Sequence, residues 1–300
     1  MSVEANPEDV TPAWAGTMAE AGVTRVSLGV QSFDPAVLAS LGRRHDAAAV
    51  APALRAVAGA GIARSSIDLI YGAAGETAAS WRSTVATALS LDPAPGHVSA
   101  YALTVEPGTP LSRQPDRHPD DDAQAEHYEV ADELLSGAGL AWYELSNWAR
   151  PGEECRHNLV YWTGGDYRGI GCAAHSHRAG RRWWNLRTPE RYLAAVTAGR
   201  SATAVAEELT SAERRLEGLE LSLRTRAGVP AAAFGGRLAG LVGSRLVEVE
   251  GDRAVLTRRG RLLANEVACA LGEGSDEPIG RHQMQRNSPR AGRLPLTSRR

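Results

Sequence analysis

Through its first hundred residues the chain alternates short apolar runs with amphipathic stretches. Ser2-Val3-Glu4, Arg25-Val26-Ser27-Leu28-Gly29-Val30, Ser66-Ile67-Asp68-Leu69-Ile70-Tyr71-Gly72 and the run from His97 to Thr104 read as strands. Helices are predicted between them. One runs from about Thr11, with Pro12 at its first position and Gly22 closing it. Another runs from Asp34-Pro35 to Gly42, a third from Asp46 to near Gly59, and a fourth over Ala78–Leu91, ended by Asp92-Pro93. Strand-helix alternation implies a parallel sheet with right-handed crossovers.

Beyond this repeat, residues 105–119 are Pro-rich and predict a loop. Asp120–Ala138 predicts a helix whose three leading Asp suit the macrodipole, and Leu140–Ser146 predicts a further strand. Residues 151–187 hold a dense segment of Gly, aromatics and imidazoles. From 188 to 271 the pattern shifts to short helices (Thr188–Gly199, Thr210–Leu223, Val229–Leu241, then a last one from Thr257), with a hairpin over residues 245–256. This arrangement is winged-helix-like. Residues 272–300 are polar and aperiodic and read as a disordered tail. The expected division is therefore 1–150, 151–187, 188–271 and 272–300.

Polar residues fall at or near the C-terminal ends of the first strands: Glu4, Gln31, Asp68 and Thr104. In a β/α barrel that rim carries the active site. Asp68 sits inside an apolar run, where a carboxylate is costly unless paired or on a rim. The second concentration of chemistry is His157-Asn158-Leu159-Val160-Tyr161-Trp162, followed by Gly169-Ile170-Gly171-Cys172-Ala173-Ala174-His175-Ser176. Such a stretch lines a pocket or plugs a core with aromatics, and composition alone does not choose between them.

Net charge is -2, which gives no general attraction to nucleic acid or anionic membrane. No apolar run is long enough to span a bilayer. Three cysteines at wide spacing do not form a disulfide framework, and a reducing cytoplasm is expected. All 33 basic residues are Arg.

Glu4-Ala5-Asn6-Pro7, Gly29-Val30-Gln31-Ser32-Phe33, Leu41-Gly42-Arg43-Arg44-His45 and Ile67-Asp68-Leu69-Ile70-Tyr71-Gly72 resemble the oxygen-independent coproporphyrinogen III oxidase family of radical SAM proteins. His157-Asn158-x-x-Tyr161-Trp162 and Gly169-Ile170-Gly171-Cys172-x-Ala174-His175 resemble its heme-chaperone branch, the HemW type. The resemblance implies an α/β fold. Its first part is a partial (β/α) radical SAM barrel starting at its third strand. An α+β winged-helix-like C-terminal domain comes after it. The resemblance further implies that Glu4, Gln31, Arg43, Asp68 and Ala102 contact S-adenosylmethionine. His175 stands where the oxidases place an apolar residue near that cofactor. His157 and His175 are candidate heme-iron ligands, and Tyr161 and Trp162 candidate porphyrin-stacking residues.

The family's Cys-x3-Cys-x2-Cys motif, which holds a [4Fe-4S] cluster, does not occur among Cys155, Cys172 and Cys269. The expectation is thus a heme chaperone that hands heme to an acceptor protein, with S-adenosylmethionine and heme as ligands and the cluster only in a full-length form beginning upstream. A porphyrinogen-oxidising radical enzyme, a partner-binding module and an inert fragment are the alternatives.

Overall fold

The computed structural model describes residues 1–43 and 46–272, so Arg44, His45 and the tail 273–300 lie outside the described residues. The chain divides into two compact units, Met1–Glu154 and a second beginning at Cys155. Residues 151–154 thus belong with the first unit, and residues 155–187 with the second.

In the first unit, β1 (Ser2–Ala5), β2 (Arg25–Gln31), β3 (Arg64–Tyr71) and β4 (His97–Ala102) pair in parallel, in sequence order. The intervening helices are α1 (Pro12–Glu20), α2 (Pro35–Ser40), α3 (Val50–Gly59) and α4 (Ala78–Leu89). Capping residues fix where three of them begin. Thr11 accepts the Trp14 amide, Asp34 the Ala36 and Val37 amides, and Thr77 forms a reciprocal capping box with Ser80. Helix α5 (Asp121–Gly137) starts with the Asp120 carboxylate accepting the Ala123 amide at 2.8 Å.

The sheet does not stay parallel. It ends in two antiparallel strands, β5 (Ala141–Glu144) and β6 (Asn147–Ala149), with β6 between β4 and β5. Three residues give too short a signal for β6 to be legible. Its anchor is the fully buried Trp148, whose indole Nε1 donates to Asp132 Oδ1 of α5 at 2.9 Å.

The strands alternate, and this alternation builds the site. Val26, Leu28 and Val30, Ile67 and Leu69, and Val98 and Ala100 are buried, as are Val50, Leu54 and Val57 of α3 and Trp81 and Val85 of α4. Burying such side chains supplies about 1.5–3 kcal/mol each. The opposite face is polar: Arg25, Ser27 and Gly29 on β2, Ser66 and Asp68 on β3, His97, Ser99 and Tyr101 on β4.

The second unit opens with α6 (Arg156–Trp162). Next in the chain is a three-stranded antiparallel sheet of β7 (His175–Arg178), β8 (Arg181–Asn185) and β9 (Thr203–Glu208), with α7 (Pro189–Thr197) between the last two. Strand β9 falls between two expected helices, in a stretch given no element. Its Ala- and Glu-rich sequence is a poor strand former, and pairing with β8 creates it. Then come α8 (Ser211–Leu223), a short β10 (Val229–Pro230), α9 (Leu238–Gly243), and the hairpin β11 (Val247–Glu250) and β12 (Arg253–Leu256), ordered β10-β12-β11. The helix expected over Val229–Leu241 is broken, since Gly235 takes a φ of 52° between a 3-10 turn and α9. The last helix likewise splits into α10 (Arg258–Leu262) and α11 (Ala264–Ala268), with Leu263 outside helical geometry. The fold class stands as expected, an α/β unit with a partial barrel sheet followed by an α+β unit. The sheet is mixed rather than all-parallel.

Candidate functional site

On the polar face of the first unit, Glu4, Gln31 and Asp68 come together. The register places Glu4 beside Ser27 and Asp68 beside Gly29. Ser27 Oγ donates to Asp68 Oδ2 at 2.8 Å, and Ser99 makes a second side-chain hydrogen bond to the same carboxyl. Burial nevertheless pushes the Asp68 pKa up, against these bonds and the attraction of Arg25. Glu4 is pushed up too, first by burial and then by the Asp68 charge. Two carboxyls that raise each other's energy favour a group bringing positive charge or paired hydroxyls.

Gln31 ends β2 with a φ of 67°, a costly conformation for a residue with a side chain, and the register slips by one residue between Gly29 and Gln31. This turn folds the buried side chain back: its Nε2 lies 2.9 Å from where a Cβ on Gly29 would stand. Gly29 therefore leaves room for the Gln31 amide. Ala102 ends β4 and is exposed, with Tyr71 opposite it. Arg43 lies just beyond α2. Burial lowers its guanidinium pKa while Glu8 raises it, so this cation has an acidic neighbour.

Strand-end reasoning missed a chain of polar contacts across the same face. Tyr101 bonds Ser99 on one side and Asn147 on the other, and Asn147 Nδ2 donates to Glu144. The signal was present as the period-2 recurrence of polar residues inside β2, β3 and β4. Beneath it, His97 is clamped between Ser66 Oγ at 2.7 Å and the Tyr143 hydroxyl at 2.8 Å, and burial lowers its pKa.

The loop after β3 is closed on itself, and the segment after β4 is fastened to α5. The Gly72 amide donates to Glu76 Oε2 at 2.7 Å, and Gln124 Nε2 donates to the Leu103 carbonyl at 2.8 Å. Glu76 faces His127, Nδ1 to Oε2 3.7 Å, with side chains 1% and 3% exposed. Burial pushes the Glu76 pKa up to about 7, ahead of the opposing Gly72 and Ala73 amides.

In the second unit, His157 and Tyr161 lie one turn apart on α6, with His157 Nε2 and the Tyr161 hydroxyl 3.1 Å apart. The Tyr161 ring also meets Tyr167 edge-on at 4.5 Å. Trp162 is half-buried at the end of α6. The stretch from His157 through Tyr161 and Trp162 is therefore helical.

His175 opens β7, exposed, its ring stacked on Trp184 at 5.5 Å. Side chains hold the glycines of the loop before it. The Gly169 amide donates to Ser176 Oγ at 2.9 Å, the Gly171 amide to the Tyr192 hydroxyl at 3.1 Å, and Asn185 Nδ2 to the Gly171 carbonyl at 2.9 Å. His177 is committed at both nitrogens: Nδ1 donates to the Gly165 carbonyl at 3.0 Å, and Nε2 accepts the Gly180 amide at 3.2 Å. Among the described residues no group of three His, Cys, Asp or Glu side chains could hold a metal ion. The described residues of this chain thus do not fit a [4Fe-4S] cluster.

The radical SAM superfamily pattern matches residues 1–88. Over 279 residues the chain is 43% identical to the heme chaperone HemW of Mycobacterium tuberculosis, spanning 90% of this chain and 71% of that protein. The chain belongs to the HemW heme-chaperone family. The Bacillus subtilis HemW is 35% identical over 289 residues, spanning 91% of this chain and 76% of its own length. Among solved structures, the coproporphyrinogen III oxidase HemN of Escherichia coli aligns with a TM-score of 0.75 at 20% identity, covering 90% of this chain and 68% of that one. That likeness is one of fold. No helix among the described residues is long and apolar enough to cross a membrane.

Proposed function

We propose that this chain binds heme and passes it to an acceptor protein in the cytoplasm. Its membership of the HemW family carries the reading, since the relatives are named heme chaperones and match along most of its length. The second unit supplies imidazoles suited to the task. His157 on α6 and His175 beside Trp184 are both exposed, and imidazole is a common ligand of heme iron. His177 is unsuited, because its hydrogen bonds use both nitrogens. Trp162, at the end of the same helix as His157, gives an apolar ring to flank a porphyrin.

The rim of the first unit, Glu4, Gln31, Arg43, Asp68 and Ala102, is proposed to bind S-adenosylmethionine. Its chemistry fits that ligand. The raised carboxyls of Glu4 and Asp68 suit an ammonium, a sulfonium or ribose hydroxyls, and Arg43 suits a carboxylate. A [4Fe-4S] cluster has no ligand set among the described residues, and no step is assigned to it.

The test is titration of ferric heme into the whole chain and into His157→Ala and His175→Ala, followed at the Soret band. A shifted or weakened band in at least one variant supports the reading; wild-type spectra in both overturn the ligand assignment.

A further inference from the structure

A carrier must release what it binds, and α6 contains a group that competes for its own candidate ligand. His157 Nε2 and the Tyr161 hydroxyl are 3.1 Å apart, with the rings edge-on at 5.0 Å. Either imidazole tautomer fits that distance. The phenol O–H is a far stronger acid than a neutral imidazole N–H, so the favoured arrangement has the phenol donating to the Nε2 lone pair. The Tyr161 ring is held in place from behind: Tyr167 meets it edge-on at 4.5 Å, and the Tyr167 amide and carbonyl both pair with His177 on β7. The helical spacing of four residues then aims the hydroxyl back at His157.

We infer that Tyr161 is a release residue, whose hydroxyl competes with heme iron for Nε2 of His157. This rests on the reading above that His157 binds heme iron. Loading forms the iron–Nε2 coordinate bond and breaks the O–H···N hydrogen bond, and the phenol turns its proton to water. Release reverses both, so no electron or proton is gained or lost by the protein. The phenol thus weakens holding and offers the nitrogen an immediate partner as the iron departs. This role is opposite in sign to porphyrin stacking, in which the tyrosine ring would strengthen binding.

The experiment compares wild type, Tyr161→Phe and His157→Ala as whole chains loaded with ferric heme. It measures the heme dissociation constant and the rate of transfer to apomyoglobin. Phe keeps the ring and its contact with Tyr167 and removes only the hydroxyl. One hydrogen bond of net 0.5–1.5 kcal/mol corresponds to heme binding about twofold to tenfold tighter in Tyr161→Phe, with transfer slowed by a similar factor. Unchanged or faster transfer from Tyr161→Phe overturns the inference. If His157→Ala loads and releases heme as wild type does, His157 ligation falls and the role of Tyr161 falls with it. If His157→Ala is impaired while Tyr161→Phe is unaltered, only the release role is lost.

Discussion

Replacing Glu76 with Gln should change how stability depends on pH more than it changes stability itself. The Glu76 carboxyl is buried, with its Oε1 lacking a protein hydrogen bond and its Oε2 3.7 Å from His127 Nδ1. Asp34 adds a repulsive charge, and Glu126 lies near His127 on α5. A folded-state pKa of about 7 against the ordinary 4.5 means that the folded chain keeps a proton the unfolded chain gives up. The associated stability is fully present below pH 4.5 and is lost as pH rises towards 7. At about 1.4 kcal/mol per pH unit, the loss is at most about 3 kcal/mol. His127 works in the other direction: burial lowers its pKa, so its contribution is lost as pH falls below its ordinary range. The informative quantity is therefore the difference between Glu76→Gln and wild type, from which His127 largely cancels. Gln mimics the protonated acid, with its carbonyl in the place of Oε2, accepting the Gly72 amide and facing His127 Nδ1, and its amide nitrogen in the place of Oε1. Urea unfolding of both proteins from about pH 4 to about pH 8 should show the variant gaining up to about 3 kcal/mol relative to wild type across that range. Parallel stability curves would refute the buried, protonated carboxyl.

Three further substitutions probe other parts of the molecule. His97→Phe removes the buried hydrogen bonds that the imidazole makes with the Ser66 and Tyr143 hydroxyls and should cost about 1–3 kcal/mol in urea unfolding; it should also reduce the acid sensitivity of wild type, whose His97 must stay neutral when folded. Gly169→Ala places a methyl against the His175 carbonyl, so the loop must move; a melting temperature lowered by several degrees is expected, and an unchanged one would contradict the packing. Arg182→Ala removes the ion pairs to Glu207 and Glu217, at 2.7 and 2.8 Å, and should destabilise by about 1–2 kcal/mol, an effect that shrinks in high salt.

The parallel strands and their helices were legible because period-2 and period-3.6 patterns and capping residues agree with each other there. Strands β6 and β9 were not. The first is three residues long, and the second has weak strand propensity, so both owe their form to a neighbouring strand. Glu4, Gln31 and Asp68 were visible as polar residues at strand ends, and the structure gathers them on one face. Tyr101, Asn147 and Glu144 were not, because their link runs sideways through β4, β6 and β5 and no local pattern encodes it. The pairing of His157 with Tyr161 was implicit in a spacing of four residues, but only once that stretch is known to be helical.

Heme iron bound to this chain is expected to be held by a histidine imidazole. The most direct test is pulsed electron paramagnetic resonance of the ferric heme complex, made with unlabelled and with nitrogen-15 histidine. A ferric species whose nitrogen couplings change on labelling is the expected result. A spectrum indifferent to the label, with the iron held by water or by a thiolate such as that of Cys172, would contradict the account.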